Sequence, residues 1–365
     1  MKNKSIVITV LFAVIFLSVS VLCLAFPEGD YSDSERRELA KFPEVSAATI
    51  ESGEWQKGFE EYSTDRFPVR DILRGVKAAF AKNVLFKSDN NGLFTADGHL
   101  SKIDSAENED MMNHAADRFT FIYEKFLQGN RVYLTIVPDK NFVLAKNNSY
   151  PSLDYSGFIT KMRGKLPFME YIDVTEMLAA SDYYRTDTHW RQEKITDISG
   201  HILNEMGKGI NGGSYQENTS PYPFYGVYAG QYALPVEPDE LKYLTNDTID
   251  NATVTYYPNG LPEKGEMYNM EKASGKDPYE MFLSGTMPLI TIEKQGGALD
   301  NHLILFRDSY GSSIAPLFLE GYDKITVIDT RYMAPEMLGM LVDFEGADVL
   351  FLYSTTLLNN SLAIR

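Results

Sequence analysis

Thiol chemistry is almost absent from this sequence, whose one cysteine, Cys23, lies inside an N-terminal apolar run. The rest of the chain therefore offers no disulfide, no cysteine zinc site and no cysteine nucleophile. Histidine is scarce as well. The five (His99, His114, His189, His201 and His302) never pair at HExxH spacing, so no structural metal is expected. Basic clusters are missing: 34 Lys and Arg stand against 51 Asp and Glu, for a net charge of −17. Such a surface repels phosphate backbones and excludes nucleic acid as a partner. Otherwise the acidity speaks to solubility. The sequence has no internal repeat, no low-complexity tract and no nucleotide-binding motif, so no cofactor is expected.

What is present begins with residues 5–26, which carry no charge and are largely Val, Ile, Leu, Phe and Ala. About 20 apolar residues suffice to span a bilayer as a helix. Lys2 and Lys4 precede the run and Glu28, Asp30 and Asp33 follow it. That asymmetry predicts the N-terminus inside and the remainder outside the cytoplasm. Cys23-Leu24-Ala25 has residues small enough for cleavage, but the run is long for a signal peptide. Residues 1–26 thus read as an uncleaved signal anchor, or as a secretion signal if cut.

Residues 27–88 read as a stalk with a small helical segment. Its apolar residues from Trp55 to Phe80 fall at helical spacing, interrupted at Pro68. From residue 89 to 365, strand and helix signals alternate. Strands are expected over 131–137, 168–172, 302–306, 324–328 and 348–353. Helices are expected over 107–127, 157–165, 174–180 and 191–206, and near Gly311 and Pro335. Such alternation implies an α/β domain with a mainly parallel central sheet and helices on both faces. Residues 211–289, rich in Tyr, Gly, Pro and Asn, read as an irregular or small β insertion that shapes a substrate site.

Two segments carry chemistry. The apolar run His302–Phe306 leads directly into Arg307-Asp308-Ser309-Tyr310-Gly311-Ser312-Ser313 and a helical pattern. Open α/β sheets bind ligands at this kind of strand-to-helix junction, and free N–H groups there stabilise an oxyanion. Taken alone, the segment serves equally as a helix cap. A serine nucleophile needs a base, and the base needs orienting. Asp187-Thr188-His189 supplies both, since residues two apart in an extended stretch point to similar sides. A lone Asp-x-His is more often a surface feature.

Together the segments resemble the DHHW proteins, of the wider group that contains the alginate O-acetyltransferases AlgJ and AlgX with their SGNH-hydrolase-like domains. The resemblance rests on Asp187-Thr188-His189-Trp190 before a helix and Asp308-Ser309-Tyr310-Gly311 after a strand. Further pieces agree: residues 35–43, residues 65–71, Val137-Pro138-Asp139-Lys140, residues 277–285 and residues 328–332. It implies a three-layer SGNH-hydrolase-like sandwich with Ser309 as nucleophile, His189 as base and Asp187 as orienting acid. The Ser309 N–H is implied as an oxyanion donor. Arg331 and Tyr353, at the ends of the next two strands, are candidates for the oxyanion or substrate face by position, joined by Tyr310 and Trp190. Lys140 either lines the same face or forms a structural salt bridge. The pattern departs from the family where Thr188 replaces the first of two histidines; its serine follows the Asp/His pair, unlike simple SGNH hydrolases but as in the alginate acetyltransferase group.

The function so implied is O-acyl transfer, of acetyl for preference, onto an exopolysaccharide or cell-wall glycan through an acyl-serine. A membrane-bound O-acyltransferase is the implied donor partner. A glycan acetyl esterase uses the same three residues with water as acceptor. A non-catalytic glycan-binding or assembly protein is the third reading.

Overall fold

The structure is a computed structural model that describes residues 2–25, 29–32, 34–209 and 213–365. The chain divides into two compact units, one of residues 1–91 with 229–235, the other of residues 92–228 with 236–365.

In the larger unit, eight strands form one sheet: β1 (Val132–Val137), β2 (Glu170–Tyr171), β3 (Thr253–Tyr256), β4 (Glu263–Lys264), β5 (Leu289–Glu293), β6 (His302–Arg307), β7 (Lys324–Ile328) and β8 (Asp348–Ser354). Their order is β4-β3-β5-β7-β6-β8-β1-β2. The run from β7 to β2 is parallel, and β5, β3 and β4 continue it antiparallel.

The central strands are fully buried because β-branched and aliphatic residues point to both faces. Leu303 and Leu305 of β6 join a core with Ile198, Ile202 and Leu203 of the helix Thr196–Glu205. Ile304 and Phe306 join the opposite core with Met112, Phe119 and Ile122 of the helix Glu109–Ile122. The mainly parallel sheet thus lies between two helical layers, and β6 ends in its middle.

Two expected helices are shorter than their sequence pattern. Over 174–180 a 3₁₀ turn, Thr175–Met177, forms in place of an α-helix, and a second 3₁₀ turn begins at Ala180. Two β-branched residues open this short stretch, too few residues to repay helix nucleation. Over 191–206 the α-helix begins at Thr196 after a 3₁₀ turn. Gln192 is drawn into the interior, where its Nε2 donates to Ser313 O (2.6 Å) and its Oε1 accepts from Leu244 N (2.8 Å). The stretch expected as an insertion supplies β3, β4 and the first residue of β5 at the edge of the main sheet, as well as a separate hairpin, Gln216–Phe224 with Asp239–Thr245. Its first expected residue, Asn211, lies outside the described residues.

In the smaller unit, the segments 35–43 and 65–71 meet. Asp65, buried, accepts two hydrogen bonds from Arg37 (2.6 and 2.8 Å) and one from Ala40 N (2.9 Å). Arg70 and Arg74 pair with Glu35 at 2.6 and 3.3 Å. Lys2–Ala25 is a continuous helix of 24 residues. Among the described residues no helix is long and apolar enough to cross a membrane. The Cys23 side chain, Glu28 and Asp33 lie outside the described residues.

His302, buried at the start of β6, donates or accepts one hydrogen bond with Thr326 Oγ1 (2.8 Å). Burial, reinforced by Lys324, pushes its imidazole from the ordinary 6.5 down to about 4. Below about 6.5 the unfolded chain takes up a proton that the folded one refuses, so this contribution is whole above that pH and lost as pH falls through 4. Replacing His302 with Gln should therefore narrow the gap between urea midpoints measured at pH 7 and pH 4.5. An unchanged gap would assign the acid sensitivity elsewhere.

Candidate active site

Ser309 is the second residue after β6, following Asp308, and the helix Tyr310–Ile314 starts immediately beyond it. Its side chain does not cap that helix. Asp308 takes that role instead: one carboxylate oxygen accepts from Tyr310 N (3.0 Å), the other from Ser354 N at the end of β8 (2.8 Å). Asp308 and Tyr310 are buried, whereas Ser309 between them remains partly exposed. The hydroxyl is thus left unengaged by the turn that presents it. Ser312 and Ser313 are buried, and Ser313 Oγ is taken up by Trp190 Nε1 (3.0 Å) and Tyr279 OH (2.9 Å).

His189 meets Ser309 from a separate loop, with Nε2 and Oγ 2.7 Å apart. Its Nδ1 lies 2.5 Å from Asp187 Oδ1. The carboxylate also accepts from the His189 N–H (3.0 Å) and from the Val227 N–H (2.9 Å). Burial alone raises the Asp187 carboxyl, but the imidazole and these N–H groups outweigh it and hold the group well below the usual carboxylate range. An ionised Asp187 can only accept, so Nδ1 carries the proton and Nε2 offers its lone pair to the serine O–H.

The loop bearing this pair is held from both sides. Lys140, fully buried, donates to the carbonyls of Tyr184 (2.8 Å) and Arg185 (3.1 Å). Asp239 accepts from the N–H groups of Arg185 (2.9 Å) and Thr186 (2.8 Å). Gly226 lets the chain pass close enough for Val227 to reach Asp187. A Cβ at position 226 would stand 2.3 Å from Asp187 Cβ and 2.4 Å from Thr186 O. Burial drives the Lys140 ammonium down to about 7, opposed by Asp187, Asp239 and Asp139.

The other candidates are placed as follows. Trp190 and Tyr310 lie in the interior and link the two segments: Trp190 Nε1 donates to Tyr310 O (3.0 Å), and Tyr310 OH donates to Thr188 O (2.7 Å). Tyr310's N–H is spent on Asp308. Tyr353 is fully buried with its OH on Thr330 Oγ1 (3.1 Å), and Lys140 makes its bonds to carbonyls, so neither lines a substrate face. Arg331, half-buried, grips Asp329 through Nε (2.9 Å) and Nη2 (2.7 Å), and Asp329 also accepts from buried Arg307 (3.2 Å). Thr188 approaches Tyr310 OH with its Oγ1 (3.4 Å).

Sequence reasoning missed Tyr279. Its ring stacks on the His189 imidazole, with centroids 3.8 Å apart and planes 6° from parallel. The signal was the Asp277-Pro278-Tyr279 segment, noted without a role. The supports from Val227 and Asp239 had no local signal.

No protein-family model matches the chain, and no curated protein matches it in sequence. Among solved structures, it is similar to a DHHW family protein from Eubacterium siraeum at 22% identity and a TM-score of 0.60, over 76% of this chain and 95% of that one. It is also similar to Bacillus cereus PatB1 at 18% identity: a structure with a sulfonyl adduct has a TM-score of 0.56 over 73% of this chain and 95% of that one. A second PatB1 structure has a TM-score of 0.55 over 74% and 97%. At these identities the likeness is one of fold.

The division of labour between Asp308 and Ser309 has a direct check in urea unfolding. Asp308→Ala leaves two buried N–H groups unpaired and should cost about 2–4 kcal/mol. Ser309→Ala should stay within about 0.5 kcal/mol of the parent. Equal losses would contradict the assignment.

Proposed function

We propose that this chain is an extracytoplasmic O-acyltransferase, for acetyl by preference, acting on a glycan through an acyl-Ser309 intermediate. One observation carries the reading: a partly exposed serine hydroxyl 2.7 Å from a histidine whose other nitrogen meets a buried carboxylate. Such a line makes an unreactive hydroxyl nucleophilic. The sulfonyl adduct of PatB1, a chain of similar fold, supports it, because sulfonylating reagents trap activated nucleophiles.

The chemistry balances with this chain's own groups. Ser309 Oγ attacks the carbonyl carbon of an acyl ester while His189 Nε2 takes the hydroxyl proton. Asp187 stabilises the resulting imidazolium, and the Ser309 N–H and the helix start stabilise the oxyanion. Collapse breaks the ester C–O bond, and His189 returns the proton to the departing alcohol. A glycan hydroxyl then gives its proton to His189 and attacks the acyl-serine, and the proton finally returns to Ser309 Oγ. One ester is exchanged for another, so no oxidant or cofactor is required. The flat Tyr279 ring behind the imidazole fixes its plane during both transfers.

The donor outside the cytoplasm is an acyl group delivered by a membrane-bound O-acyltransferase, with residues 1–26 as the proposed anchor. The arrangement of the three residues is equally that of an esterase, and the acceptor decides between them.

With p-nitrophenyl acetate as donor, Ser309→Ala and His189→Ala should each lower turnover by about 10³-fold or more, and Asp187→Asn by about 10²–10⁴-fold. Added oligosaccharide should accelerate release and become acetylated. Hydrolysis indifferent to sugar identifies the esterase, and unchanged turnover in Ser309→Ala overturns the site.

A further inference from the structure

The helix Arg70–Asn83 of the smaller unit turns its bulky apolar side chains outward. Ile72, Leu73, Val76 and Phe80 are exposed, Ile72 by 67%. At about 100° per residue they share one arc of about 100°. The buried residues of the helix are small, Ala78 and Ala81, and Gly75 lies beside the Ala233 carbonyl, 3.3 Å from where its Cβ would stand. A helix whose apolar stripe were satisfied by its own core would show the reverse.

Two further observations point to an occupant. Val69 (φ 53°) and Phe86 (φ 52°), at the two ends of this face, hold the left-handed conformation that side chains with a Cβ avoid, and both are exposed, Phe86 by 84%. Costly backbone of this kind is kept where it serves a contact. Charge is the second. Residues 70–87 carry Arg70, Arg74, Lys77, Lys82 and Lys87 against Asp71 alone, in a chain of net −17. The arginines are engaged by Glu35 and Gly230 O. Lys77 and Lys82, exposed beside the apolar arc, find neutral partners among the described residues: Asn91 Oδ1 (2.8 Å) for Lys77, and Tyr232 OH (3.1 Å) and its ring for Lys82.

We propose that this face lies on an anionic lipid bilayer, with Ile72, Leu73, Val76 and Phe80 at the acyl boundary and Lys77, Lys82 and Lys87 among the headgroups. The arc from Ile72 to Phe80 offers a protein partner no hydrogen-bonding side chain, whereas specific protein interfaces carry many such bonds. Lysines bordering an apolar stripe match a headgroup layer. The inference is independent of the chemistry proposed for Ser309.

The test uses the full chain with Cys23→Ser and Val76→Cys, the new thiol carrying a nitrobenzoxadiazole fluorophore. In vesicles of phosphatidylcholine with phosphatidylglycerol, iodide quenching of the probe should fall about fivefold against vesicles of phosphatidylcholine alone. Lys77→Glu with Lys82→Glu should restore quenching, with the circular dichroism unchanged. Equal quenching in both vesicle types overturns the proposal. So does protection that appears without vesicles and grows with protein concentration, which would assign the face to a second copy of the chain.

Discussion

A buried carboxylate organises this site. Asp187 lies in the interior, where an unpaired charge is costly, and it is stabilised by three donors: the His189 ring, the His189 N–H and the Val227 N–H. Each donor is useful in itself. The ring bond fixes the tautomer that leaves Nε2 free for the serine. The two backbone bonds tie the loop to a distant stretch of chain, through an approach that only glycine at position 226 permits. Lys140 and Asp239 then grip the preceding peptides of the loop that carries His189.

The serine is supported by a different carboxylate. Asp308 joins the end of β6 to the end of β8 and caps the short helix, which leaves Ser309 exposed with its hydroxyl unspent. Trp190 and Tyr310 connect the two supports through the interior. The two aspartates are thus engaged differently, Asp187 with the His189 ring and Asp308 with the turn. Spacing of acidic residues alone would not distinguish them.

Much of the frame was legible because buried parallel strands are written in short, largely apolar runs: β6, β7 and β8 stand within a residue of their expected limits. The edge strands β3, β4 and β5 were not legible as part of that sheet. They are short, half-polar and embedded among Tyr, Gly, Pro and Asn, and pairing to the sheet is a long-range fact. Asp187, His189 and Ser309 could be singled out by type and context. Tyr279, Val227 and Asp239 could not, since a stacking ring and two backbone supports have no local pattern. Tyr353 by position, and Trp190, read as oxyanion or substrate-face candidates, and Lys140 as lining that face or forming a structural salt bridge, yet all three side chains are buried. The smaller unit inverts the usual lesson: its helix 70–83 is plain in the sequence, but its apolar face looks outward.

The central claim is that Ser309 is acylated during turnover. Rapid quenching of the full chain with p-nitrophenyl acetate, followed by peptide mass mapping, measures it directly. The account predicts one acetyl group on the peptide containing Ser309, accumulating in the parent and absent from His189→Ala. Steady turnover with the acetyl group on another residue, or on none, would contradict it.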